Sequence, residues 1–172
     1  MKVNIIGAGP AGLLFALLIK RRFPGWSVDV FEQNPPDATF GFGVVFSLNA
    51  LAFLERDVPD FHSRLMPRLE SWPMQRIVHH DERIDIDGNG FSAIGRLELN
   101  QFLGELCRAA GVKLNYQSTI QSLQQIIDCD LVVGADGANS VVRRELEETF
   151  QTQIESLTNR LPGTAPASYS IA

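Results

Sequence analysis

A strand, a glycine-rich turn and a helix follow one another at the start of this chain, and no other feature restricts its fold as much. Lys2–Ile6 is a short, largely apolar run ending in glycine, as a buried parallel strand requires. Gly7-Ala8-Gly9-Pro10-Ala11-Gly12 is a GxGxxG turn, and Ala11–Arg22 then carries Leu14, Phe15, Leu17 and Leu18 at helical spacing. Phe23-Pro24-Gly25 stops that helix, and Val28–Phe31 reads as a second strand. Each glycine has a mechanical task. Gly7 permits the tight turn, Gly9 lets backbone approach a pyrophosphate, and Gly12 lets helix and strand pack closely. The helix N-terminus adds unpaired N–H groups and the positive end of its dipole. Glu32 stands twenty residues after Gly12, where an acid accepts ribose hydroxyls.

Strand, helix, strand and acid in register predict a dinucleotide-binding βαβ unit, and hence an α/β, Rossmann-like domain built on a parallel sheet. Glu32 would repel a 2′-phosphate, which disfavours NADP at this turn. Further along, 34–47 is rich in Pro, Gly and Phe and is expected to be a functional loop. Leu48–Leu54 and Asp60–Leu69 read as short helices, and Gln75–His80 and Arg83–Asp87 as antiparallel strands, with turn residues at 87–90. Arg96–Ala110 is amphipathic, with Leu99, Phe102, Leu103, Leu106 and Ala110 on one face, and Gly111 ends it. Lys113–Tyr116 and Leu131–Val133 are expected strands, and a last helix is expected from about 139 to 149. The expected domain is residues 1–160, with an insertion of small antiparallel β character at about 34–95.

Composition removes several function classes. The chain has 172 residues and a net charge of −5, which argues against general affinity for nucleic acid or an anionic membrane. The basic cluster Lys20-Arg21-Arg22 falls at a helix C-terminus, where its charge suits the dipole. No apolar stretch reaches the roughly 20 residues that span a bilayer. Cys107 and Cys129 lack metal-ligand spacing and read as reduced thiols, so the cytoplasm is the expected compartment. His79 and His80 are neighbours on an expected strand and should face opposite ways, so no metal is expected. No HExxH or CxxC motif occurs either.

Three segments resemble the FAD-dependent aromatic hydroxylases of the para-hydroxybenzoate hydroxylase class. The first is Lys2–Gln33, with its glycine turn and Glu32. The second is LVVGADGANSVVR at 131–143, similar to the class's second fingerprint, with Asp136, Gly137, Ser140 and Arg143. The third is Arg96 with Leu99 and Leu103, similar to the helix whose arginine reaches the FAD phosphates in that class. An arginine opening a helix opposes the dipole, so an anionic neighbour would relieve it, as would pairing with Glu98 or Glu105. Asp136-Gly137 is equally suited to a turn, with Asn139 or Ser140 capping the last helix. The loop Thr39–Ser47 resembles that of the salicylyl-CoA 5-hydroxylases and aminobenzoyl-CoA monooxygenases.

The resemblance implies FAD as cofactor, NAD(P)H as co-substrate, and O₂-dependent hydroxylation of an aromatic or aryl-CoA substrate. It implies cofactor contacts from Gly7, Gly9, Pro10, Ala11, Gly12, Glu32, Gln33, Val45, Arg96, Asp136, Gly137, Ser140 and Arg143. Phe42, Gly43, Phe46 and Ser47 would shape the substrate site. The chain departs from the class at its C-terminus. No Gly-Asp pair follows Arg143, so most of the substrate-domain half is expected to be missing. Residues 161–172 read as an irregular tail, disordered or out of frame, because codons exist that encode the family's continuation in another frame. Oligomeric state is left open.

Overall fold

The computed structural model describes residues 1–38, 40–88, 90–151, 155–159 and 167–171. The chain divides into two compact units, one formed by Met1–Pro36 with Asn100–Ala172 and the other by Asp37–Leu99.

The first unit is organised by β1 (Lys2–Ile6), α1 (Pro10–Arg22) and β2 (Ser27–Phe31). β1 and β2 pair in parallel from Lys2 with Ser27 to Ile6 with Phe31. Their apolar residues are buried on both faces, with Val3 and Ile5 at 0% exposure, as expected for a parallel strand covered above and below. Leu13, Ala16 and Leu17 of α1 are wholly buried, whereas Phe15 is exposed, so the buried stripe is narrower than the leucine spacing implied. The Lys20 ammonium donates to the carbonyls of Pro24 and Trp26 at 2.8 and 2.6 Å, and Phe23 stacks on Trp26 to close the turn. In the second unit, β3 (Gly43–Ser47) and its partners form a small antiparallel sheet. The elements after β3 are α2 (Leu48–Asp57), α3 (Pro59–Leu65), a 3-10 turn at Met66–Arg68, β4 (Glu70–Trp72), β5 (Gln75–His79), β6 (Glu82–Ile86) and β7 (Phe91–Gly95).

β7 is the centre of that small sheet, flanked by β3 and β4, both antiparallel to it. Gly43–Ser47 is therefore a strand rather than the loop expected there. Val44, Val45 and Phe46 have high strand propensity, and their partner lies almost fifty residues away, beyond any local pattern. β5 and β6 form a separate hairpin that packs chiefly on itself. His79 and His80 do not diverge as expected. His80 is in the turn, at φ +55°, and its ring meets the His79 ring edge-on at 4.3 Å.

The chain enters the first unit again through α4 (Arg96–Ala110), whose Leu99, Phe102, Leu103 and Leu106 are each 3% exposed or less. Gly111, at φ +86°, ends it in the left-handed conformation that glycine favours. β8 (Lys113–Asn115) and β9 (Leu131–Gly134) complete a four-stranded parallel sheet in the order β8-β2-β1-β9. The expected final helix is divided into α5 (Val141–Glu145) and α6 (Glu147–Phe150). β10 (Glu155–Asn159) and β11 (Ala167–Ile171) pair antiparallel, so part of the expected irregular tail is a strand. Residues 161–166 and 172 of that tail lie outside the described residues. Among the described residues no helix is long and apolar enough to cross a membrane, and no cluster of His, Cys, Asp and Glu could hold a metal ion.

Candidate functional site: the cleft at the ends of the parallel strands

All four parallel strands end at one cleft, with about 500 Å³ of open space. Gly7 reaches it from β1, and Phe31, Glu32 and Gln33 from β2. Ser118 and Ile120 reach it from the segment after β8, and Asp136, Asn139 and Val141 from the segment after β9. Because β1 has parallel neighbours on both sides, the connections leaving its end diverge and open a crevice there, which is where ligands bind in sheets of this kind.

The glycines of the turn have different reasons to be glycine. Gly7 has φ +102°, and a Cβ on it would stand 2.3 Å from the Ala135 carbonyl oxygen. A Cβ on Gly12 would stand 2.1 Å from the Gly7 oxygen and 3.2 Å from Ala135 Cβ. Both are required by packing inside the protein. Gly9 is not. Its φ of −72° suits any residue, and a Cβ there would meet nothing within 4 Å. Pro10 and Ala11 open α1 with no side chain capping it, so its first N–H groups remain for an approaching anion.

Glu32 is held in place by three donors. Its Oε2 accepts from the Ala8 backbone N–H at 2.9 Å, and its Oε1 accepts from the Asn34 backbone N–H at 2.9 Å and from Asn34 Nδ2 at 2.7 Å. The acid thus links the glycine turn to the end of β2. Gln33 beside it is exposed.

On the other side of the cleft, Asp136 accepts from the Ser140 hydroxyl and from the Val141 N–H, both at 2.6 Å. Ser140 caps α5 by accepting from the Arg143 N–H at 3.1 Å, and the Arg143 guanidinium donates to the Ala138 carbonyl. Gly137 has φ +75° with nothing near it. This segment therefore makes its own cap and also forms a wall of the cleft.

In the second unit, Arg96 opens α4, and its N–H donates to the Phe42 carbonyl at 3.3 Å. Glu98 pairs with Arg68 at 3.6 Å, and no described carboxylate pairs with the Arg96 guanidinium. A shallow groove of about 900 Å³ is lined by Phe42, Gly43 and Val45 together with Arg68, Glu70 and Glu98. Phe46 is half-buried and alternates with Val45 along β3; Ser47 caps α2, accepting from the Ala50 N–H at 3.2 Å.

Ser118 and Ile120 were not singled out from the sequence, and Asn139 was read only as a candidate helix cap. The available signal was positional, since each follows a strand of the parallel sheet at its C-terminal end.

Sheet order, glycine turn and positioned acid together define a Rossmann-like dinucleotide-binding unit, and the NAD(P)-binding Rossmann-like domain family matches residues 5–36. Over 87% of its length the chain is 42% identical to Salicyloyl-CoA 5-hydroxylase of Streptomyces sp, covering 29% of that protein. It is 31% identical over 88% of its length to 3-hydroxy-4-methyl-anthranilyl-[aryl-carrier protein] 5-monooxygenase of Streptosporangium sibiricum, covering 42% of it. Protodeoxyviolaceinate monooxygenase of Chromobacterium violaceum is 35% identical over 81% of the chain and is 38% covered. The chain is thus related in sequence to the aromatic monooxygenases, as its motifs implied, and it spans less than half the length of these relatives. The fold agrees. The tetrameric form of 2-methyl-3-hydroxypyridine-5-carboxylic acid oxygenase superposes with a TM-score of 0.74 at 23% identity, over 92% of this chain and 44% of that one.

Proposed function

We propose that this chain is the FAD-binding part of an NAD(P)H-dependent monooxygenase that hydroxylates an aromatic ring carried as an aryl-CoA thioester, such as salicylyl-CoA, in the cytoplasm. Gly9 carries the cofactor half of this reading. Neither its backbone angle nor its packing needs a glycine, so its missing side chain is explained by close approach of something outside the protein. A diphosphate over the uncapped N-terminus of α1 fits that approach, and the Glu32 carboxylate fits the hydroxyls of the attached ribose. The 42% identity to Salicyloyl-CoA 5-hydroxylase supports the aryl-CoA half.

In this reading Gly7, Gly9, Pro10, Ala11 and Gly12 present the turn to the pyrophosphate, and Glu32 with Gln33 takes the adenosine ribose. Asp136, Gly137, Ser140 and Arg143 form the facing wall, and Arg96 supplies positive charge for the phosphates. Val45 contacts the cofactor, and Phe42, Gly43, Phe46 and Ser47 bound the aromatic substrate. FAD, when bound, supplies the redox chemistry by accepting reducing equivalents from NAD(P)H and activating O₂. The residues of the chain bind, orient and exclude water, and none is required as an acid, base or nucleophile.

The test begins with protein purified without added cofactor. Absorbance maxima near roughly 375 and 450 nm, with FAD released on denaturation, are expected of a bound oxidised flavin. Folded protein that stays colourless and takes up no added FAD would refute the flavin assignment. The second arm is O₂-dependent NAD(P)H consumption stimulated by salicylyl-CoA. The match of the NAD(P)-binding Rossmann-like domain over residues 5–36 favours a second reading, a nucleotide-binding module without turnover. FAD uptake with no NAD(P)H consumption would select it.

A further inference from the structure

Glu32 alone does not fix where its carboxylate points. The Asn34 side chain donates to Oε1 at 2.7 Å, and the Asn34 backbone N–H donates to the same oxygen at 2.9 Å. Asn34 is itself anchored, since its carbonyl accepts from the Gln117 N–H at 3.2 Å. Two residues earlier the Glu32 backbone is held at both ends, its N–H donating to Asn115 and its carbonyl accepting from Ser118, at 2.9 and 2.8 Å. Asn34 therefore stands on a rigid stage formed by the ends of β2 and β8, with its amide aimed at one carboxylate oxygen. The Ala8 N–H takes the other oxygen at 2.9 Å. A carboxylate oxygen has two lone-pair sites, so Oε2 keeps one site for an incoming hydroxyl while Oε1 is saturated by Asn34.

We propose that Asn34 is a positioning residue that orients Glu32 and so sets the selectivity of the cleft for a nucleotide bearing a ribose 2′-hydroxyl. This rests on the reading of the cleft as an adenine-nucleotide site. Without the Nδ2 donor, Oε1 regains a free lone pair, and only the Asn34 and Ala8 backbone N–H groups still hold the carboxylate, one on each oxygen. The hydroxyl would then meet a less narrowly oriented acceptor with a second free site on Oε1 competing for it.

The experiment measures affinity of the full chain for ADP and for 2′-deoxy-ADP by calorimetry, in the natural protein and in Asn34→Ala and Asn34→Asp. A hydrogen bond from the hydroxyl to a charged acceptor predicts that the natural protein prefers ADP roughly tenfold. Asn34→Ala should reduce that preference to about threefold or less while affinity for 2′-deoxy-ADP stays within about twofold. Asn34→Asp places a second carboxylate against Glu32 and should abolish the preference. Equal loss of both nucleotides in Asn34→Ala, or an unchanged preference, would overturn the positioning role and leave the nucleotide site standing. Failure of the natural protein to bind either nucleotide would overturn the site and the inference together. Circular dichroism of each variant confirms that a loss is not unfolding.

Discussion

Gly9 and Gly12 lie three residues apart in one turn, yet alanine at each would meet opposite surroundings. At Gly12 the new carbon stands 2.1 Å from a backbone oxygen that has nowhere to go, so Gly12→Ala should cost about 3 kcal/mol in chemical denaturation. At Gly9 the carbon enters open space, so Gly9→Ala should cost less than about 1 kcal/mol and still weaken FAD or ADP binding tenfold or more. Equal effects on stability, or no effect of Gly9→Ala on binding, would contradict these roles. A second residue-scale effect concerns Cys107, fully buried with its thiol donating to the Leu13 carbonyl at 3.2 Å. Burial pushes its pKa from 9.0 up to about 11. The raised value means the folded state holds the proton longer than the unfolded chain. The stabilisation is therefore complete below pH 9 and lost as pH rises from about 9 to 11, by about 3 kcal/mol at most. Cys107→Ala should flatten that decline. Iodoacetamide should label the half-exposed Cys129 first and Cys107 only on unfolding, which peptide mapping reads directly.

Among the elements, α5 depends on its cap. The helix has only five residues, and Asp136 and Ser140 between them satisfy the N–H groups of Val141 and Arg143. Ser140→Ala should cost about 1 kcal/mol and speed amide exchange at 141–145 more than in β1. Uniform acceleration across the sheet would show that the cap stabilises more than its own helix. The β5–β6 hairpin is the opposite case. Ile77 and Ile84 face each other across the strands and are 49% and 51% exposed, and Val78 is 60% exposed. An isolated two-stranded hairpin is marginal in water, so its amides should exchange far faster than those of β1 and β2. The strands of this hairpin were legible from their residue types, but the turn residues read at 87–90 follow β6 and the hairpin itself turns at His80 and Asp81; α4 was legible from its apolar stripe. β3, β4 and β7 were not read as strands, because their pairing joins segments distant in the chain and leaves no local period to read.

For the molecule as a whole, the second unit exposes Phe40, Phe42, Val45, Phe53 and Ile84, each more than half accessible. That much apolar surface favours self-association. Concentration-dependent light scattering is expected, and a Phe42→Ser, Ile84→Thr double variant should reduce it without lowering thermal stability. Unchanged scattering would locate the association elsewhere. The nucleotide-binding unit was fixed by the chain itself. Its strand, glycines, helix and acid lie within 31 residues, close enough for local sterics and hydrogen bonding to specify them together. The relation to aromatic monooxygenases was likewise carried by short contiguous motifs. Tertiary structure decided the rest. It showed that Gly7 and Gly12 answer to Ala135 across the sheet while Gly9 answers to no neighbour, and that the Ala8 N–H holds the acid while the Gln117 N–H anchors Asn34 beside it. It also brought Ser118, Ile120 and Asn139 to the cleft by ordering β8 and β9 on opposite sides of the central pair. Such contacts arise only once loops distant in sequence have closed, and no residue pattern along the chain encodes which oxygen a side chain will meet.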